Sequence, residues 1–274
     1  MARTLTIECL QPGNGAYLVS NRYDARRAEG FPGAGPADQI SAALGNRLLG
    51  QAEDTTCLEL TLTGGRWRLS GTGQFALTGA EMGAKLDDRV CATDEVHDFD
   101  ADDQTLTLGP AQNGMRTYLT VRGEWMTTGT VPNRPLAKGW RASVHGEQAS
   151  GYQLSLDKPF WRNKTTLTAL PGPEWELLPA AAQRWLLSGT FRLTGGNRQG
   201  LRLEAPTPVP PLNLGSMLSS PVLPGTVQWT PAGLVVLGPA AQTVGGYPRV
   251  LLLGAELLSP CYQMTENSEI RFNL

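Results

Sequence analysis

The Gly245-Gly246-Tyr247-Pro248 run is the densest chemical signal in the sequence. Paired glycines there form either a backbone loop that presents N–H groups to an anion or a tight turn with positive φ. Arg198 and Arg202 suit an anion too, or else sit in exposed salt bridges of little energetic worth. Gln228 and Thr243 are polar residues suited to line a pocket. Asp38 either orients a substrate group or a partner's arginine, or is the first-turn residue of a helix opening at Pro36, where the helix dipole favours negative charge. The chain has two histidines, His97 and His145, so a multi-histidine metal centre cannot be built and no metal site is expected. His97 falls in Asp94-Glu95-Val96-His97-Asp98, which reads as a solvated acidic turn. His145 has no G-x-S-x-G context around it. Cys9, Cys57, Cys91 and Cys261 are scattered with no C-x-x-C pair, as expected of buried reduced thiols. No Walker loop, no G-x-G-x-x-G after a strand and no H-E-x-x-H occurs.

Short strands must position these residues. Gly (32) and Pro (20) break the 274-residue chain often, which argues against a helical bundle. Leu5–Leu10, Cys57–Leu62, Gly65–Leu69, Phe75–Thr78, Thr105–Leu108 and Arg116–Arg122 read as strands between turn signals, with Leu58, Leu60 and Leu62 on one face. Such patterning predicts a mainly β sandwich or barrel. Helices are expected over Pro36–Leu49, ending at Gly50, and over Pro179–Leu187.

Two halves show the same motifs in the same order. Asn21-Arg22 with Arg26 matches Asn197-Arg198 with Arg202, Ala76–Ala80 matches Val236–Ala240, and Gly114–Val121 matches Gly246–Leu253. The expected organisation is a first β unit over 1–124, a connector with irregular strands over 125–164, and a second copy over 165–274. A formal net charge of −2 disfavours nucleic-acid binding. No apolar run approaches the length of a membrane helix and no signal-peptide core opens the chain, so a cytoplasmic protein with no membrane partner is expected.

The Gly30–Asp38 stretch, Asn46–Gly50, Leu58-Glu59, Phe75–Ala80, Gly114–Leu119, Asn197–Leu203, Pro224–Gln228 and Gly245–Arg249 together resemble the signature of the biotin-dependent carboxyltransferase family. That family includes the C-type subunit of 5-oxoprolinase, allophanate hydrolase subunit 2 and the antagonist of a sporulation kinase inhibitor. The resemblance implies two tandem cyclophilin-like β-barrels with a few short helices. It implies a hetero-oligomer with a B-type subunit and an A-type subunit. It also implies a small-molecule substrate and a hydrolase activity in the complex: ATP, with Mg, drives opening of a cyclic amide, 5-oxoproline, to glutamate. Asp38, Asn46, Glu59, Arg198, Gln228, Thr243, Gly245, Gly246 and Tyr247 fall on the signature and become substrate- or nucleotide-binding candidates. No residue is assigned as catalytic. An allophanate hydrolase or urea-type carboxyltransferase is an alternative. No A-M-K-M attachment motif occurs, so any biotin would arrive on another protein.

The departures from the signature bear on activity. The family's Q-D-x-G-R reads Val19-Ser20-Asn21-Arg22-Tyr23, its S-E-G reads Ser219-Ser220-Pro221, and the acidic residue before Q-T-T-G-G-Y-P is Ala240. Alanine neither accepts a proton nor binds a cation. Either the chemistry is altered or the chain keeps a pairing role without activity. Asn46 either serves the site or bonds a neighbouring loop, and Glu59 either serves it or is a solvated strand position. An exposed subset of Trp125, Trp140, Trp161, Trp175, Trp185 and Trp229 would mark a partner face.

Overall fold

The computed structural model of the protein describes residues 3–20, 26–100, 103–127, 133–146, 165–205, 207–212, 214 and 217–274. It is mostly β, and its contacts divide it into two units. Unit 1 takes residues 1–23 and 34–160. Unit 2 takes residues 24–33 and 161–274. The Asn21-Arg22 half of one repeat pair and Trp161 lie outside the described residues.

Unit 1 holds β1 (Arg3–Gln11), β2 (Ala16–Val19), α1 (Gln39–Leu48), β3 (Cys57–Thr61), β4 (Thr63–Ser70), β5 (Gly73–Glu81), β6 (Lys85–Leu86) and β7 (Arg89–Val90). It continues with β8 (Glu95–Phe99), β9 (Gln104–Pro110), β10 (Gln112–Val121), β11 (Glu124–Met126) and β12 (Arg141–Gly146). One sheet runs β11-β12-β1-β4-β9-β6-β7 and the other β2-β3-β10-β5-β8. Alternate residues of each point into one core, with Ile7, Leu58, Leu60, Trp67, Phe75 and Leu119 fully buried. Leu62 leaves this face: at φ 61° it ends the strand as a turn residue and is exposed. The stretch 125–164 contributes β11 and β12 to this sheet, because β12 pairs antiparallel with β1 from Arg3↔Gly146 to Glu8↔Arg141. His97 lies in a strand, β8, where its ring stacks on Phe75 at 5.3 Å and Nε2 is 2.8 Å from the Ala92 carbonyl. An alternating strand with one inward aromatic contact has replaced the expected acidic turn.

The helix expected at Pro36 forms as α1, and Asp38 is its N-cap rather than a first-turn residue. Gly45 of this helix lies against Thr78 and Thr120, where a Cβ would meet the Thr120 hydroxyl at 2.8 Å. That close approach lets α1 pack on β5 and β10.

Unit 2 holds β13 (Thr166–Thr168), β14 (Leu170–Pro171), α2 (Ala180–Ser188), β15 (Phe191–Asn197), β16 (Gly200–Glu204), β17 (Ser220–Pro221) and β18 (Thr226–Thr230). β19 (Gly233–Leu237), β20 (Val244–Gly245), β21 (Arg249–Leu252), α3 (Ala255–Cys261) and β22 (Glu269–Asn273) complete it. Its main sheet runs β13-β22-β15-β16-β19-β18-β21-β14. The first and last members of that order, β13 and β14, are separated in the chain by Ala169 alone. The sheet therefore curls until its two edges meet, making a nearly closed barrel. The second expected helix forms as α2. The sequence reading missed α3, which is seven residues long and contains Pro260.

All four cysteines are buried, and burial raises the Cys9 thiol to about 11 and the Cys261 thiol to about 12. Among the described residues no helix is long and apolar enough to cross a membrane. None of the described tryptophans is exposed: Trp125, Trp175 and Trp229 are buried and Trp140 and Trp185 half-buried. Trp185 packs edge-on to Phe191 and lies 4.7 Å from the Trp229 ring. The described tryptophans pack into the core, where their large apolar area is removed from water.

Candidate functional site

In unit 1, the signature residues form a buried polar layer under α1. Asp38 caps the helix through Oδ1, which accepts from Ser41 N–H at 3.0 Å, while Oδ2 accepts from the Ser41 hydroxyl at 2.5 Å. Glu59, on β3, is wholly buried, so it is no solvated strand position. Its Oε2 accepts from Ala37 N–H at 2.7 Å and from the Tyr118 hydroxyl at 2.9 Å. Tyr118 in turn accepts from Asp38 N–H at 2.7 Å, and Arg116 Nε lies 3.6 Å from Glu59 Oε1. Burial, then the charges of Glu59 and Asp38, push the Tyr118 phenol well above its ordinary range, so it is a fixed donor at neutral pH. Asn46 is also buried. Its Nδ2 donates to the carbonyls of Glu53 and Thr55, and its Oδ1 accepts from Gln51, so it pins the loop after α1. Glu59 and Tyr118 thus fix the backbone at Ala37 and Asp38, Asp38 caps the helix, and Asn46 fixes the loop that follows it.

In unit 2, Gln228 and Gly245 come together, and Thr243 lies two residues before Gly245. Gln228 sits on β18, opposite Val235 on β19 and Arg249 on β21. It is 3 % exposed, and its Nε2 has no hydrogen-bond partner among the described residues. A buried amide donor without an acceptor costs about 1–3 kcal/mol unless something completes it. Gly245 lies directly against it: a Cβ on residue 245 would stand 2.6 Å from Gln228 Nε2. Neither Gly245 nor Gly246 has positive φ. The tight-turn reading is thereby corrected; Gly245 is required for close approach to a side chain rather than for its backbone conformation. Thr243 is half-buried, and its carbonyl accepts from Val222 N–H at 2.9 Å. Gly246 is exposed, and Tyr247, 49 % exposed, borders with Trp229, Pro231 and Pro248 a groove of about 480 Å³.

The arginines take different places. Arg198 is buried, 7 % exposed, and its carbonyl accepts from Ala240 N–H at 3.0 Å, so it is not the exposed surface residue that the salt-bridge reading requires. Arg202, on β16, is exposed. Arg249, the last residue of the Gly245–Arg249 motif, is committed to Glu174. Its Nε and Nη2 reach the carboxylate at 3.0 and 2.5 Å, its backbone N–H reaches it at 2.7 Å, and Nη1 donates to the Pro221 carbonyl at 2.8 Å. The hydrogen bonds from Arg249 hold the Glu174 carboxyl below the usual range.

A family model described as the carboxyltransferase domain, subdomain A and B, matches residues 29–274. The chain belongs to the biotin-dependent carboxyltransferase family. This carboxyltransferase-family chain is 31 % identical over 241 residues to the C-type 5-oxoprolinase subunit of Escherichia coli (strain K12), covering 82 % of the chain and 76 % of the relative. The crystal structure of TTHA0988 superposes with a TM-score of 0.87 at 26 % identity, covering 100 % of the chain and 56 % of that protein. The Kluyveromyces lactis urea carboxylase shares the fold, with a TM-score of 0.83 at 20 % identity over 97 % of the chain and 27 % of that protein. The carboxyltransferase-family chain thus spans little more than half of the TTHA0988 chain and about a quarter of the urea carboxylase.

Sequence reasoning missed Glu174 and Arg27. Glu174 lies in no recognised motif, although Arg249, its partner, closes one. Among the described residues, no cluster of three or more His, Cys, Asp or Glu is placed to hold a metal.

Proposed function

We propose that the chain is the C-type subunit of a 5-oxoprolinase-like complex, acting in the cytoplasm with a B-type partner and an A-type subunit. The observation that carries this reading is the 31 % identity to a C-type 5-oxoprolinase subunit over most of both chains. The unit 2 site is compatible with it. A cyclic amide offers a carbonyl oxygen and, in 5-oxoproline, a carboxylate; both accept hydrogen bonds, and Gln228 Nε2 is a buried donor in need of an acceptor. An unactivated amide resists attack at neutral pH. Phosphorylation of its oxygen by ATP, with Mg, supplies a leaving group, and the protein's work is then positioning. In this reading Gln228 orients the substrate oxygen, and Gly245 and Gly246 leave room for it.

The test is co-expression with the B-type subunit, followed by gel filtration and an assay of ADP release with and without 5-oxoproline. Co-elution and 5-oxoproline-dependent ADP release, once the A-type subunit is added, are expected. Separate elution of the two chains at micromolar concentration would overturn the partnered role. A second reading, a non-catalytic binding homologue, is favoured by Ala240 and Ser220 standing where the family carries acids. Ala240 is buried, and its N–H donates to the Arg198 carbonyl at 3.0 Å. A stable complex with no turnover would support that reading over the first.

A further inference from the structure

We propose that Arg27 is a positioning residue: by holding three carbonyls it sets the two-stranded β17–β20 sheet, and with it Thr243 to Gly246, against Gln228. The inference rests on the reading of Gln228 as a substrate contact.

The β17–β20 sheet is short. Its ladder has two pairs, Ser220↔Gly245 and Pro221↔Val244, extended by the Val222 N–H bond to the Thr243 carbonyl; Pro221 has no N–H to contribute, and Val222 packs with Leu237 and Ala241. A ladder this short is not stable alone. Two guanidinium groups support it from outside. Arg249 donates to the Pro221 carbonyl and is itself locked by Glu174. Arg27 donates through Nη2 to the carbonyls of Val222 and Gln242, and through Nη1 to that of Ala241, each at 3.2 Å. One planar fork therefore ties the end of β17 to the loop that leads into β20.

Arg27 is prepared for this by its own segment. Residues 26–29 form a 3₁₀ turn, closed by Gly30 N–H to the Arg27 carbonyl at 3.0 Å and Phe31 N–H to the Arg26 carbonyl at 3.3 Å. Its neighbour Arg26 faces the other way, paired with Glu29 and lying 4.1 Å over the Phe31 ring. The segment 24–33 belongs to unit 2, although nearly two hundred residues of sequence separate Arg27 from Val222. The consequence falls on Gln228. Gly245 lies directly against Gln228 Nε2, so a shift of the β17–β20 sheet moves the wall of the site. A half-buried side chain from a remote segment thus braces the wall of the site from outside the local strands.

The experiment compares wild type with Arg27→Ala and Arg27→Lys in three ways. In the full chain, backbone amide exchange is followed over 243–246 together with the Gln228 side-chain amide resonance. In the complex with the B-type and A-type subunits, KM and kcat are measured for 5-oxoproline. For Arg27→Ala, exchange at 243–246 quickens about tenfold, the Gln228 amide resonance shifts, and β18 and β19 keep their protection. KM rises about tenfold with kcat within about twofold, as loss of substrate positioning alone predicts. Arg27→Lys, which keeps the charge but not the fork, falls between. Unchanged exchange and an unmoved Gln228 resonance would overturn the proposal. Faster exchange with an unaltered KM would reduce Arg27 to a structural brace and also overturn it. A wild-type complex that shows no 5-oxoproline turnover sinks the functional reading instead; the Gln228 resonance then decides Arg27 alone, its shift supporting the proposal.

Discussion

At Gln228 the structure leaves a buried donor open, and Gly245 is the residue that keeps it so. A methyl at 245 would meet the far end of a flexible side chain, so the fold has an easy way to yield, while the amide does not stay in place. Gly245→Ala should therefore change stability by less than about 1 kcal/mol and lower kcat/KM for 5-oxoproline about tenfold or more. Urea denaturation and steady-state kinetics on the complex check the two halves of that statement. Glu174 gives the pH dependence. Its carboxyl is held below its usual value by the hydrogen bonds from Arg249, so its contribution is complete above the unfolded value of 4.5 and disappears as pH falls through the lowered folded value. Glu174→Gln should cost roughly 1–3 kcal/mol at pH 7, and the gap to wild type should narrow as pH falls below about 4. Denaturant midpoints across that range measure it.

At the scale of elements, the helix and the strand below it are joined by polar groups rather than by apolar contact alone. Asp38 accepts from Ser41 twice while its own N–H reaches Tyr118, and Tyr118 reaches Glu59. Removing the cap removes the acceptors of a buried helix start. Asp38→Ala should destabilise by about 2 kcal/mol, and Asp38→Asn, which keeps an Oδ acceptor, by less. Equilibrium unfolding followed by circular dichroism distinguishes them. Much of this element was legible in sequence: Pro36, the spacing of Ile40, Ala43, Leu44 and Leu48, and the stop at Gly50 place α1 within a few residues of Gln39–Leu48. Strands with clear alternation, β1, β3, β4 and β9, were legible for the same reason, since one buried face imposes a period of two. β8 was hidden because its outward residues are acidic and only Val96, His97 and Phe99 mark it as a strand. α3 was hidden by its length and by Pro260.

At the scale of the whole molecule, the second unit is not a contiguous piece of chain. Segment 24–33 packs in it, and Arg27 satisfies three of its carbonyls. A fragment of residues 161–274 should therefore be less stable than the same fragment with residues 24–33 joined ahead of it through a flexible linker. A difference of roughly 1–3 kcal/mol in urea unfolding is expected, the worth of charge-assisted hydrogen bonds. Equal midpoints would show that the segment adds nothing to the unit.

Composition, turn frequency and strand periodicity by themselves determined that this is a mainly β protein, and the ordered motifs determined its family. Both are recorded locally, in which residue types follow one another. Tertiary structure alone decided that Glu59 is buried beneath a helix, that Arg249 is held by Glu174, and that Gln228 keeps an open donor beside Gly245. It also decided that Arg27 works in the second unit. Those outcomes depend on which atoms lie within about 3 Å of one another. Residues far apart in sequence reach that distance only when sheets close and segments cross over, and no local pattern encodes the meeting.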